Sequence, residues 1–188
     1  MELLIKVVNT SGDPRQDNAD KKPLFTEGLK PRAANEHKEQ WAFIHDIQIR
    51  ENIAYQMQYL EFQVRLYNDY QLYLTVESLL CKNIIVTIGG IIEAALYALM
   101  TYHADGSGYT FDEKTPYFKR IDEAYNMQII DKDLKDNLHN LHNLRKMRNL
   151  VHLNTLDFRE YQAYDVDEAN EYITALDRFI EYQINYTG

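Results

Sequence analysis

Asn137-Leu-His-Asn-Leu-His-Asn-Leu-Arg-Lys-Met-Arg-Asn-Leu-Val-His-Leu-Asn-Thr-Leu156 contains no acidic residue, in a chain that holds 29. It carries Arg145, Lys146 and Arg148, together with His139, His142 and His152. An anion would be repelled least here. At ~100° per residue, Arg145 and His152 fall within ~20° of each other on a helix. Arg148 and His152 are ~40° apart. One helix, about Lys132 to Leu153 with Asp131 as its cap, then presents Arg145, Arg148 and His152 on one stripe, with Asn149 on its flank. Read backwards, that stripe is Leu141, Leu138 and Leu134. The apolar positions drift to Leu144, Met147 and Val151, so the helix still packs while its cationic stripe faces a neighbour. Cations and His near a helix C-terminus also complement the macrodipole and cap its last carbonyls. Both readings, anion site and helix-end cap, stand on these residues alone.

The stretch has a counterpart upstream. Ile84 to Met100 is apolar except for Thr87, Gly89, Gly90 and Glu93. A carboxylate in such a helix calls for a partner or a proton, and Arg145 or Arg148 would serve. Gly89-Gly90 lowers helix stability; its usual return is the close approach of another helix, within the chain or across a symmetric dimer. The length sits at the lower limit for a membrane span and Glu93 falls near its middle. A buried bundle helix is the reading taken, with no membrane partner.

Together, Leu144-Arg-Lys-Met-Arg-Asn-Leu-Val-His152 and Gly89-Gly-Ile-Ile-Glu-Ala-Ala-Leu96 resemble the HEPN (higher eukaryotes and prokaryotes nucleotide-binding) domain family. Its motif is an Arg, often followed by a polar residue such as Asn, then a gap of roughly four to six residues, then His. Six residues separate Arg145 from His152, and three separate Arg148 from it. Arg145 is followed by Lys146 and Arg148 by Asn149, so either arginine could hold the family role. The resemblance spans roughly Thr75 to Tyr182. It implies an all-α bundle of about four to six helices, usually dimeric, with an acidic residue of the second helix facing the Arg–His helix. It further implies metal-independent RNA cleavage giving 2′,3′-cyclic phosphate, no cofactor, and a setting such as toxin–antitoxin, phage defence or RNA processing. An antitoxin would then be a partner.

Composition bounds these readings. At 188 residues, 45% hydrophobic and 26% charged, the chain fits one globular domain with a real core. A net charge of −9 opposes broad nucleic-acid binding, which needs many phosphates neutralised, but leaves room for a small anion site. Cys81 is the single cysteine, which excludes a disulfide framework or a cysteine zinc site and suits a reducing cytoplasm. His139 and His142 have metal-ligand spacing but no evident third ligand.

In chain order, Met1 to Val8 reads as one strand and Asn9 to Pro31 as loop. Residues 1–34 form an extended N-terminal arm lying on the bundle or on a partner, and 35–188 the HEPN-like helical domain. Asn35 is a candidate N-cap. Glu36 to Leu74 lacks Gly and Pro and is helical by spacing (Phe43/Ile47, Ile53/Met57/Leu60, Val64/Tyr67). At ~55 Å it is long for one domain, so a break is expected near Arg50 to Asn52 or Tyr67 to Tyr70. Its tyrosines, Tyr55, Tyr59, Tyr67, Tyr70 and Tyr73, suit a mixed core and interface face, or a stacking platform for bases. Thr75 would cap a helix over Val76 to His103. Thr115 caps and Pro116 opens a short helix to Met127, with Lys114, Lys119 and Arg120 as solvated surface. Asp165-Val-Asp-Glu168 is a capping box. It opens a last helix to about Tyr186 with Ala169, Tyr172, Ile173, Leu176, Phe179, Ile180 and Gln183/Ile184 inward.

Two functions follow. In a ribonuclease, His152 moves protons at the 2′- or 5′-oxygen. Arg145 and Arg148 hold the phosphate, and Asn149 orients it or the His. One His leaves a second proton-transfer role empty; by the resemblance, a dimer cleft with two copies of His152 fills it. Glu93 would orient an arginine. In a non-catalytic homodimer, the same stripe pairs with Glu93 and other acids, or binds a nucleotide or RNA without cutting it, or the dimer binds a protein partner.

Overall fold

The structure, a computed structural model, describes residues 31–107, 115–140 and 164–187. The expected strand at Met1–Val8 and nearly all of the arm lie outside the described residues. Those described form six helices and no strand, so the chain is an all-α bundle as expected. They are α1 (Ala34–Gln40), α2 (Ile47–Asp69), α3 (Leu74–Ser107), α4 (Tyr117–Asn126), α5 (Lys132–Asn140) and α6 (Val166–Thr187).

The long helix expected from Glu36 is two helices, and its first break is earlier than expected. Chain 41–46 leaves the helix because Trp41, Phe43 and Ile44 are all buried. Three large side chains so close in sequence cannot share one helical face. Trp41 packs against Phe43 and, from α6, Phe179. Asp46 then starts α2, its carboxylate accepting the Gln48 and Ile49 amides at 2.8 and 2.9 Å. Arg50 to Asn52 is therefore continuous helix, and Ile47, in the first turn of α2, is 71% exposed rather than packed. The second break falls where expected, with Tyr70 extended. At the start of α1, the cap is Ala33, not Asn35. Glu36 compensates by accepting the Ala33 amide at 3.1 Å.

The centre of the bundle is α3, 34 residues and ~51 Å long. Ile84, Ile85, Ile88, Ile91, Ile92 and Leu96 are essentially excluded from solvent. They are enclosed by α2, α6 and α4. By length and composition α3 could cross a membrane, but most of its apolar window is buried inside the bundle. Cys81 is also fully buried. Burial, and then the charge of Glu77, push its thiol up to about 12.

Around α3 the other helices follow their apolar spacing. α2 buries Ile53, Met57, Leu60 and Val64, and α4 buries Tyr117, Ile121 and Ala124. α4 begins one residue later than expected, with Pro116 outside as N-cap and its carbonyl taking the Lys119 and Arg120 amides. It ends in a Schellman motif: Gln128 donates to the Tyr125 carbonyl and Ile129 to that of Ala124. Gln128 there has φ 59°, where glycine is the usual occupant. Asp131 caps α5 at the Leu134 amide and Asp165 caps α6 at the Glu168 amide, both at 2.8 Å and both as expected. α6 buries Ala169, Tyr172, Ile173, Leu176, Phe179, Ile180 and Gln183, while Ile184 is 47% exposed instead of inward. The Gln183 amide donates to the Ile129 carbonyl at 2.9 Å, which fastens α6 to the α4–α5 turn.

These contacts set three expectations. Gln183→Leu leaves the Ile129 carbonyl buried without its donor and costs about 1–3 kcal/mol in urea denaturation. Gln128→Gly relieves a left-handed side chain worth about 1–2 kcal/mol and gains unfolded-chain freedom in partial opposition. It should raise stability by about 0.5–1 kcal/mol in the same assay. Cys81 in the native protein should resist a thiol-reactive dye at pH 8 and react once urea unfolds the chain.

Candidate functional site

Arg145, Arg148, Asn149 and His152 all lie outside the described residues, as does His142. What is described is the chain on either side of them: α5, described as far as Asn140, and the chain from Tyr164 into α6. Glu93 is the one expected site residue in view. It is half-buried on α3, one turn beyond Gly89 and next to the fully buried Ile92.

An ionic knot joins α4 and α5. Asp122 Oδ1 accepts from Lys135 Nζ and meets His139 Nε2, each at 2.9 Å. The hydrogen bond from Lys135, followed by that from His139, holds the Asp122 carboxyl below the usual carboxylate range. Lys135 also lies over the Tyr125 ring, 4.7 Å from its centroid. His139 is thus engaged by the carboxylate that Lys135 also binds. Among the described residues no three potential ligands cluster as a metal site. Arg120, expected as solvated surface, instead lies over the Tyr97 ring of α3 at 5.5 Å. That contact ties α4 to α3.

A cleft of about 490 Å³ opens between α5 and α6. Asn137 and Asn140 line it from α5, and Asn170, Thr174 and Arg178 line it from α6, with Asp167 and Glu171 also in its wall. The α6 residues recur every four positions and so form one row along the helix. Amides, a hydroxyl, carboxylates and one guanidinium give donors and acceptors together. Such a lining suits a polar ligand with both kinds of group. The cleft went unnoticed in the sequence, although the spacing of Asn170, Thr174 and Arg178 was available as a signal. The partner row on α5 depends on how the two helices meet.

The tyrosines of α2 are not core residues. Tyr55 is 51% and Tyr59 48% exposed. Tyr55 donates to Glu51, and Lys38 lies over its ring. Tyr59 stacks on Phe62. Tyr67 is the exception, half-buried and hydrogen-bonded to Glu77. Nothing lies within 4 Å of a Cβ built at Gly90, so that side of the helix faces open space.

No protein-family model matches this chain, and no match was found among curated proteins or among solved structures.

Breaking the knot separates structure from chemistry. Asp122→Asn removes the negative charge that Lys135 and His139 share while keeping an acceptor oxygen. It should lower stability by less than about 1 kcal/mol in thermal denaturation.

Proposed function

We propose that this chain is an HEPN-like, homodimeric, metal-independent endoribonuclease whose chemistry resides in Arg145, Arg148, Asn149 and His152. The observation that carries the reading is the acid-free Arg–His stripe in an otherwise acidic chain. It has the residue types that phosphodiester cleavage without a metal requires: a group that titrates near neutrality, and guanidinium donors for the developing phosphorane charge. The all-α bundle is compatible with it, as is a half-buried Glu93 on the central helix. The α5–α6 cleft supports it too, because Asn137 and Asn140 closely precede the stripe in the sequence. In this proposal the cleft takes the nucleotide beside the scissile bond, and a second copy supplies the second His152. The exposed Leu74, Val76 and Leu79 of α3, with the open side of Gly90, are the surface offered to that copy. By the same resemblance the enzyme works in the cytoplasm in a toxin–antitoxin or phage-defence system, restrained by an antitoxin protein.

A non-catalytic homodimer that binds a nucleotide or RNA is the second reading. The net charge of −9 and the three-residue gap between Arg148 and His152 favour it.

Purified protein, incubated in EDTA with labelled tRNA and with a single-stranded RNA, distinguishes the two. The ribonuclease reading expects cutting with cyclic-phosphate ends, reduced by about a hundredfold or more in His152→Ala, the scale for loss of an acid–base group. Cutting that survives the substitution would point to contamination or another site, and none by either protein alongside retained RNA binding would favour the second reading.

A further inference from the structure

Among the described residues, the buried titratable side chains His37 and Glu61 meet where α1 packs on α2. Glu61 of α2 is only 5% exposed. Its Oε1 accepts from Arg32 Nε at 2.6 Å, and its Oε2 accepts from the Arg32 backbone amide at 2.7 Å. Gln58, one helical turn earlier, donates to the Arg32 carbonyl at 3.0 Å. Three bonds from α2 therefore grip one residue of the segment entering α1. Beside this clamp lies His37, wholly buried, its Nε2 3.8 Å from Glu61 Oε2. That distance is too long for a hydrogen bond but close for an ion pair.

His37 has no hydrogen-bond partner on either ring nitrogen among the described residues. Gln40 Oε1 and Trp41 Nε1 are likewise buried and unpartnered. Four orphaned polar atoms thus fall on a seven-residue helix and its C-cap. Each weakens the attachment of α1 to the bundle. The segment 41–46 behind it is non-helical and can act as the hinge.

We propose that Arg32, His37 and Glu61 form a proton-operated latch, in which protonation of His37 draws on the carboxylate that clamps Arg32 and frees α1 from α2. Neutral His37 leaves Glu61 wholly to Arg32. Imidazolium at the same place puts two cations beside one buried carboxylate. Glu61 faces His37 from α2, Arg32 faces it from the entering segment, and Glu36 acts from its own helix. From α6, Asp177 lies near Arg32. Burial and the neighbouring Glu181 raise its carboxyl, which limits what it contributes as a counter-charge. The cost of holding an imidazolium out of water is relieved when α1 swings into solvent about the hinge.

Burial, and then the charge of Arg32, lower the His37 pKa from 6.5, outweighing the pull of Glu61. The closed form thus binds the proton less well than the open one. Closure is complete above pH 6.5 and is lost as pH falls below it, towards the depressed value of the closed form. For one proton, the opening constant rises up to about tenfold per pH unit in that window.

Native-state amide exchange of the full chain between pH 7.5 and 5, corrected for intrinsic rates, tests this. Protection of the α1 amides and of Trp41 is expected to fall about tenfold per unit below pH 6.5. Protection of α3 should hold. The single tryptophan, Trp41, should shift its emission to the red over the same range while far-UV circular dichroism stays nearly constant. In His37→Leu both responses should vanish. His37→Gln should behave alike, and serves if the leucine variant does not fold. Flat α1 protection in the native chain would overturn the latch. So would a response that persists in the folded variant, or α1 and α3 opening together.

Discussion

The enclosure of α3 is the constraint on which the remaining structure depends. Ile84, Ile85, Ile88, Ile91 and Ile92 point around much of that helix, so one neighbour cannot cover them. α2, α4 and α6 are each needed, and their own apolar stripes are spent in supplying the cover. Burial at roughly 25 cal/mol per Å² makes this the largest favourable contribution the chain has. The polar fastenings are secondary in size but decide registration. Gln183 holds α6 at the α4–α5 turn, Arg120 holds α4 on α3, and Asp122 holds α5 on α4.

Those fastenings bear on the proposed function because Arg145 to His152 follow α5 in the sequence. The first turns of α5 are fixed by the Asp131 cap, by buried Leu134 and Leu138, and by the Asp122 knot. Reactive side chains gain from rigid support. At α1 the rule is reversed. α1 is short, rich in orphaned polar atoms, and joined by a buried ionic clamp. Its attachment is governed by charge rather than by apolar area, and so responds to protons where α3 does not.

Much of this was legible in the sequence. The absence of Gly and Pro over Glu36 to Leu74, and the apolar spacing of α2 and α6, gave the helices. Asp131 and Asp165 marked the starts of α5 and α6 because a carboxylate before an apolar-periodic run has few other uses. The break at Trp41 was hidden, since Phe43 and Ile47 also fit a helical period. Only burial against Phe179 shows that the chain must turn there. The Arg32–Glu61–His37 cluster was hidden for a related reason. It joins residues far apart along the chain, and helix registration is not a local property. Of the candidate site, the sequence supplied the residue types and their spacing. Glu93 is placed, half-buried, while Arg145, Arg148, Asn149 and His152 lie outside the described residues.

The central claim is that α3 is enclosed on all its isoleucine faces. Urea denaturation of Ile88→Ala beside the unaltered protein tests it most directly. A fully enclosed isoleucine should cost about 2–5 kcal/mol on truncation, with the slope unchanged. A loss below about 1 kcal/mol would show that Ile88 is covered by little, and that the bundle is not built around this helix.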